Sequence, residues 1–452
     1  MTAALSLSRS DTRRSFDEIR AREYSRLDIA DQAYLDFTGS ALYSERQIDL
    51  HAERMRRSIL GNPHSENGPS LFSTALIHKA KARLLQFLDA SLDDYSVVFT
   101  ANTSAAIKLV AESFPFSEDA GLVLAADNHN SVNGIREFAR SRGGRVTYIG
   151  LDGELRLQRE RIPAGHGLFA FPAQSNFSGV KHPLTLVRDA HRLGYQVLLD
   201  AAAFLPTNRL SLRKIPADFV VMSVYKISGF PTGVGALVAR KQSLAMLMRP
   251  WFAGGTVAYV SVQLGRHRLL DRNGEGFEDG TPAFLDIAAV CDALDFIDEI
   301  GIEEINAHVM NHTARFTEEV ALLRNLCGRP LVQIYGPASD VARGATVAFN
   351  VVGSDGNVIP FSRVVERARN EGVSLRGGCF CNPGASERAF GFPADAASRC
   401  LDLLDAGEFS FENFSHCLGP GIPVGAVRAS FGIPTNHRDI NRALAVIASF
   451  AG

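Results

Sequence analysis

Between residues 95 and 240 the chain alternates two kinds of hydrophobic pattern. Short, nearly unbroken apolar runs occur at 96–101 (SVVFTA), 121–127 (GLVLAAD), 145–150 (RVTYIG), 167–173 (GLFAFPA), 196–203 (QVLLDAAA), 219–225 (FVVMSVY) and 235–240 (GALVAR). Runs of this length and composition predict strands covered on both faces. Between several of them lie segments with apolar residues every three or four positions, such as SAAIKLVAESF and PLTLVRDAHRLG. Those predict helices. The alternation predicts an α/β fold with a mostly parallel seven-stranded sheet. The last strand follows its predecessor after a short turn, so it is expected to run antiparallel. A long amphipathic pattern at 281–301 predicts one helix, and the character then changes. Two helical stretches, the strand-like ATVAFNVVG, a glycine-rich loop at 372–385 and AVRASFGI predict a smaller α+β domain. The expected division is an N-terminal arm at 1–30 packed on the small domain, a large domain at 31–298 and a small domain at 299–452.

Ligands of open α/β sheets bind at the carboxyl ends of the strands. Lys226 and Asp200 fall at such ends, Ser223 and Tyr225 flank the lysine, and DNHNSV puts His129 at another. ANTSAAIK places Thr103 and Ser104 at a strand-to-helix junction, where free N–H groups and hydroxyls suit a phosphate. Each residue has an ordinary structural role of its own. A strand-end lysine snorkels to solvent, Asp200 caps a turn, Thr103 caps a helix, and His129 is a satisfied loop histidine. Together they are the parts that pyridoxal phosphate (PLP) needs: an amine for a Schiff base, an acid for the pyridine nitrogen, a phosphate cradle and a flat ring to stack on.

Composition narrows the class further. The chain has 452 residues, 46% hydrophobic and 21% charged, with a net charge of -2. These are values for an ordinary globular protein, with no basic excess that would suggest nucleic acid or an acidic membrane surface. No apolar run is long enough to span a bilayer. The first twenty residues lack a secretory pattern. Their Arg and Ser content is faintly transit-like, but Asp11, Asp17 and Glu18 oppose that, so a cytoplasmic protein is expected. Six cysteines in this length make no disulfide framework. Only Cys379 and Cys381 cluster locally, and C-x-C alone offers a metal just two ligands, so no metal site is expected.

At this point the sequence resembles the class V, fold-type I aminotransferases. Within them it looks most like cysteine desulfurases and the desulfurase domain of molybdenum cofactor sulfurases. The resemblance runs from YLDFTGSALYS (34–44) to VRASFGIPTNHRDINR (427–442). GNPHS (61–65), SVYKISGFPTGVGAL (223–237) and LRGGCFCNPGA (375–385) carry it most specifically. It implies that Lys226 holds PLP, Asp200 pairs with the pyridine nitrogen and His129 stacks on the ring. It implies that Thr103, Ser104, Ser223 and Tyr225 bind the phosphate, with Thr281 of FEDGTP reaching over from a second subunit of a homodimer. Asn176 would lie near the ring oxygen or the substrate carboxylate, Arg428 would clamp that carboxylate, and Arg376 and His64 would join the substrate site. Cys381 would be the nucleophile, with Cys379 its neighbour.

The resemblance implies an enzyme converting L-cysteine to L-alanine, with a persulfide left on the loop cysteine for a protein or small-molecule acceptor. The glycines around Cys379 and Cys381 suggest a mobile loop, and Arg376 is placed to favour a thiolate. Three departures stand out. Ala203 occupies the position where bacterial desulfurases usually carry a glutamine. Tyr225 replaces a histidine that often precedes the lysine. The 452 residues leave no room for the carboxy-terminal domain of cofactor sulfurases, which weakens a role specific to the molybdenum cofactor. The alternative is a PLP-dependent C–S lyase, aminotransferase, epimerase or decarboxylating enzyme of the same fold, acting on a specialised amino acid. A non-catalytic interaction protein is opposed by the intact Lys226 and Asp200.

Overall fold

The computed structural model describes residues 15–270, 274–404, 410–419 and 421–452. Residues 1–14 of the expected arm lie outside the described residues. After a two-residue strand, β1 (Ala33–Tyr34), the large sheet is built from β2 (Tyr95–Thr100), β3 (Gly121–Ala125), β4 (Val146–Ile149), β5 (Gly167–Pro172), β6 (Tyr195–Asp200), β7 (Phe219–Ser223) and β8 (Gly235–Arg240). These are the seven positions read from the apolar runs. Their order is β2-β8-β7-β6-β5-β3-β4. β8 is antiparallel to both β2 and β7, and every other pairing is parallel. The turn between β7 and β8 is too short for the crossover that a parallel pair needs.

The unbroken apolar runs have a direct cause. Alternate residues of each strand enter two different cores. Val98, Leu124, Leu168, Leu198 and Val221 pack into one. Val97, Val123, Phe169, Val197 and Val220 pack into the other. With both faces of the central strands buried, few positions are left to be polar.

β9 (Val257–Ser261) and β10 (Arg266–Leu269) form an antiparallel hairpin apart from both larger sheets. The helix expected at 281–301 is two helices, Phe284–Ile287 and Ala289–Ile300. Ala288 between them keeps helical angles (φ -60°, ψ -28°), so the hydrogen-bond ladder is interrupted without a change of direction. Gly301, at φ +96°, then breaks the chain from the helix Ile302–Leu322. β11 (Val332–Tyr335), β12 (Thr346–Val351), β14 (Arg376–Gly378) and β15 (Ala426–Ser430) form an antiparallel sheet in the order β11-β12-β15-β14. β13 (Val373–Ser374) pairs in parallel with β1. The N-terminal helix Phe16–Glu23 is tied to the same region: Arg20 donates to Pro434 O at 2.5 Å and to Asp439 at 2.7 Å.

The structure adds one pairing to the cysteine reading. Cys400 and Cys417 form a disulfide joining the helices Ala394–Leu403 and Phe411–Leu418. A lone pair seventeen residues apart carries no spacing signature that would have revealed it. Among the described residues no helix is long and apolar enough to cross a membrane.

Candidate active site

A cavity of about 400 Å³ opens at the carboxyl edge of the large sheet. Its lining includes Thr103, Ser104, His129, Asn176, Asp200, Ser223, Tyr225 and Lys226, eight of the residues singled out from the sequence. Lys226 lies on a short helix, Val224–Ser228, which continues directly from β7. Burial pushes its amine below the usual lysine range. Asp200 opposes that shift, Arg428 and Arg376 reinforce it, and Cys381 opposes it. Asp200 is buried at the end of β6, where one carboxylate oxygen accepts from Ala202 N–H at 3.0 Å. Its role as a turn cap uses that oxygen and leaves Oδ2 for a ligand.

His129 caps the helix Asn130–Asn133. Its Nδ1 accepts from Ser131 N–H at 3.1 Å, which leaves Nε2 to carry the proton of a neutral ring. Burial lowers its pKa, with Asp200 opposing and Lys226 reinforcing. The hydroxyls form two short links. Thr103 Oγ1 and Ser223 Oγ are 2.6 Å apart, as are Ser104 Oγ and Ser131 Oγ. Ser223 Oγ also accepts from Thr103 N–H at 3.0 Å. Thr103 and Ser104 open the helix Thr103–Ser113, whose positive dipole end faces the same region.

These groups fit PLP: a desolvated amine, a carboxylate with an open oxygen, a neutral ring and a hydroxyl-rich helix N-terminus inside one cavity. Asn102, Ser131 and Gln174 also line it, though the sequence reading did not single them out. Asn102 as an N-cap to Ala105 was within reach of the pattern. Ala203 lines the cavity too, so the missing glutamine leaves space at the site itself.

The arginines lie beside this cavity and do not line it. Asp36 binds both. Arg376 forks onto it (Nε to Oδ2 2.8 Å, Nη2 to Oδ2 2.6 Å), and Arg428 Nη2 reaches Oδ1 at 2.8 Å. β14 and β15 place the two arginines directly opposite each other. Arg428 also donates to Asn176 O at 2.9 Å and lies over the Phe380 ring at 4.7 Å. Burial lowers its pKa and Asp36 opposes the shift, while its Nε has no partner among the described residues. Arg376 therefore shares a carboxylate with Arg428 and is not a lone cation beside Cys381.

Thr281 and His64 are also outside the cavity lining, and both are exposed. They adjoin each other: Asn62 Nδ2 donates to Thr281 Oγ1 at 3.4 Å, and His64 Nε2 lies 3.2 Å from Gly280 O.

Cys381 is exposed and Cys379 half-buried, where burial pushes its thiol pKa up. The glycines around them suggested mobility, but the structure ties this loop to the large sheet's edge. Asn130 N–H donates to Cys381 O and Asn176 Nδ2 to Phe380 O, both at 2.7 Å. Nothing local in the sequence revealed these bonds, which join residues more than 200 positions apart.

Comparison with known proteins agrees with this architecture. The family model described as aminotransferase class-V matches residues 33–443. The molybdenum cofactor sulfurase of Bos taurus is 36% identical over 94% of this chain and 51% of its own. That of Solanum lycopersicum is 34% identical over 94% and 56%. The chain thus spans a little over half the length of the curated relatives it matches. The solved cysteine desulfurase of Thermococcus onnurineus NA1 superposes with a TM-score of 0.80 at 23% identity, covering 96% of this chain and 97% of that one. A cysteine desulfurase from Escherichia coli gives 0.76 at 19% identity, covering 96% and 98%. At these identities the structural likeness concerns the fold.

Proposed function

The chain belongs to the class-V aminotransferase family, and from that premise we propose that it is a PLP-dependent cysteine desulfurase that passes sulfur to an acceptor. The observation that carries the reading is the tie of the Cys381 loop to the Lys226 cavity: Cys381 does not line the cavity itself, but its loop is bonded to Asn176, which does. The thiol sits on a loop bonded to Asn130 and Asn176, and it bears electrostatically on the lysine amine. A PLP lyase or aminotransferase has no need of an exposed cysteine there.

PLP, when bound, supplies the electron sink for bond breaking next to the amino group. The chain's own residues divide the remaining work. Lys226 Nζ holds the cofactor and then moves the proton at the substrate carbon. When the cofactor is bound, Asp200 would hold its pyridine nitrogen and favour the protonated form, His129 would lie against its ring, and Thr103, Ser104, Ser223 and Tyr225 would hold its phosphate. Arg428, oriented by Asp36, takes the substrate carboxylate beside Asn176, with Arg376 next to it. Cys381 Sγ attacks the substrate sulfur. The carbon–sulfur bond of L-cysteine breaks, a sulfur–sulfur bond forms on Cys381, and the carbon skeleton leaves as L-alanine after protonation.

Product analysis with L-cysteine tests the reading. We expect alanine and enzyme-bound persulfide in equal amounts, and neither from Cys381→Ala. Full alanine production by Cys381→Ala would refute it. The space at Ala203 favours the second reading, a C–S lyase or related PLP enzyme for a bulkier amino acid. Turnover of larger amino acids that is indifferent to Cys381 would establish that instead.

Further parts of the proposal are a homodimer carrying Thr281 and His64 to the partner's site, a protein or small-molecule sulfur acceptor, and a cytoplasmic location. The proposed border between the large and small domains is at 298/299, close to Gly301. Before this glycine, the helix Ala289–Ile300 packs on helices Glu45–Arg57 and Gly68–Phe87; after it, Ile302–Leu322 packs on His437–Ala448 and β11.

A further inference from the structure

The geometry points to a buried polar clamp centred on Asp127, which acts as a positioning residue for Cys381 by holding its loop in one conformation. The inference rests on the reading of Cys381 as the nucleophile. Asp127 lies two residues beyond β3 and is fully buried. Its Oδ1 accepts from Ser175 Oγ at 2.7 Å and from Asn382 Nδ2 at 2.7 Å. Its Oδ2 lies 2.8 Å from His182 Nε2. His182 is buried as well, and its Nδ1 has no partner among the described residues. A carboxylate in a dry interior is costly unless its lone pairs are filled, and here three groups from two other parts of the chain fill them.

One of those groups is the residue directly after Cys381. Asn382 Nδ2 also reaches Asn176 Oδ1 at 3.0 Å, and Asn176 in turn donates to Phe380 O at 2.7 Å. Asn130 N–H takes Cys381 O, and Asn382 N–H closes the turn onto Cys379 O at 3.0 Å. The backbone on both sides of the thiol is thus held from the large sheet's edge.

The clamp has something to hold. Phe380 and Cys381 both have φ +56°, the left-handed region that side-chain-bearing residues avoid. Two such residues in succession persist only where their surroundings over-determine them. The flanking glycines would otherwise let the turn relax. The Phe380 ring is itself fixed between the Arg428 guanidinium at 4.7 Å and Phe177 at 5.4 Å. Cys381 remains exposed. Such pre-orientation of a nucleophile raises kcat and leaves substrate affinity alone.

The test is Asp127→Asn in the PLP-loaded enzyme, which keeps the shape but turns a carboxylate oxygen into a donor facing donors. Hydrogen exchange of the 375–385 segment is expected to speed up at least about tenfold, with segments that do not touch Asp127 unchanged. The visible absorbance of lysine-bound PLP and KM for L-cysteine should be retained, while kcat falls about 10- to 100-fold. Wild-type exchange in that segment would overturn the clamp, and so would acceleration spread over the whole chain. If Asp127→Asn does not fold, Asn382→Ala decides by the same readouts, since it leaves the Ser175 and His182 bonds in place. Exchange needs no turnover, so it judges the clamp even if wild-type enzyme makes no persulfide from L-cysteine. Absence of persulfide would count against the desulfurase reading alone.

Discussion

Lys226 would be an expensive residue in an apolar pocket if it remained a free cation. Its depressed pKa means that a larger share of the amine is neutral and able to attack an aldehyde. Lys226→Ala is therefore expected to abolish both the visible PLP–lysine absorbance and turnover, since no second lysine among the described residues lines the cavity. A variant that kept a lysine-type spectrum would displace the assignment. Asp200 separates two roles by oxygen: one caps Ala202, and the other is open. Asp200→Asn preserves the cap but offers no charge to keep the pyridine nitrogen protonated. Stopped-flow measurement should show PLP still bound and proton abstraction slowed about 100-fold or more, the scale of losing one pre-organised electrostatic partner. A near-normal rate would reduce Asp200 to its cap.

At the scale of elements, what the sequence revealed divides cleanly by the range of the interactions. Six of the seven strands were legible because burial on both faces writes an apolar run into them, the half-exposed edge strand β4 being the exception. Lys226, Asp200, His129 and Thr103 were legible because they sit where those runs stop. Asp36 was not. It belongs to an N-terminal loop, and its partners Arg376 and Arg428 come from β14 and β15, more than 300 residues away. The Asp127 network, the Cys400–Cys417 bridge and the split at Ala288 were hidden for the same reason, since local periodicity does not encode distant partners or a slip in a hydrogen-bond ladder. Asp36→Ala should cost about 3–5 kcal/mol in a denaturant titration, because it strands the buried Arg428. A loss below ~1 kcal/mol would mean that water or another group replaces the carboxylate. The contact between the N-terminal helix and the small sheet's helices gives a pH prediction. Phe16 stacks on His308 at 3.8 Å, His308 and His437 both edge onto His312, and Arg315 is hydrogen-bonded to His437. Burial pushes His308 and His312 down to about 4; their mutual proximity, His437 and Arg315 reinforce the shift in His312, and the Thr435 and Ile433 carbonyls oppose it in His308. The unfolded chain takes up these protons near the ordinary pKa of 6.5, but the folded chain does so only near 4. Stability should therefore be fully present above about pH 6.5 and fall as pH drops toward 4. Thermal denaturation across that window should show a shallower slope for His312→Asn than for wild type. Equal slopes would place the acid sensitivity elsewhere.

For the whole molecule, the open question is how Thr281 and His64 relate to a cavity that neither of them lines. Both lie beside residues 251–256, since Gly280 N–H donates to Gly254 O and His64 lies against Gly280. From there the chain continues into the β9–β10 hairpin, which is two strands without a third and only marginally stable by itself. This stretch exposes large apolar side chains beside the polar Arg266, His267 and Arg268. Met248, Trp251, Phe252, Tyr259 and Leu264 are exposed, and Val262 is 95% exposed. Large exposed apolar patches on globular proteins mark interaction surfaces, and a second copy would cover this one while bringing Thr281 to a phosphate. The double substitution Tyr259→Lys and Val262→Lys is expected to shift the protein to a monomer in sedimentation and to weaken PLP retention with it. Thr281→Val should leave the dimer intact yet remove one hydrogen bond to a charged group, worth about 1.5–3 kcal/mol, or roughly 10- to 150-fold in PLP affinity. The Lys226 spectrum should survive at saturating cofactor. A fully active monomer would rule out the cross-subunit arrangement, and unchanged PLP affinity in Thr281→Val would leave the dimer standing while taking Thr281 out of the site.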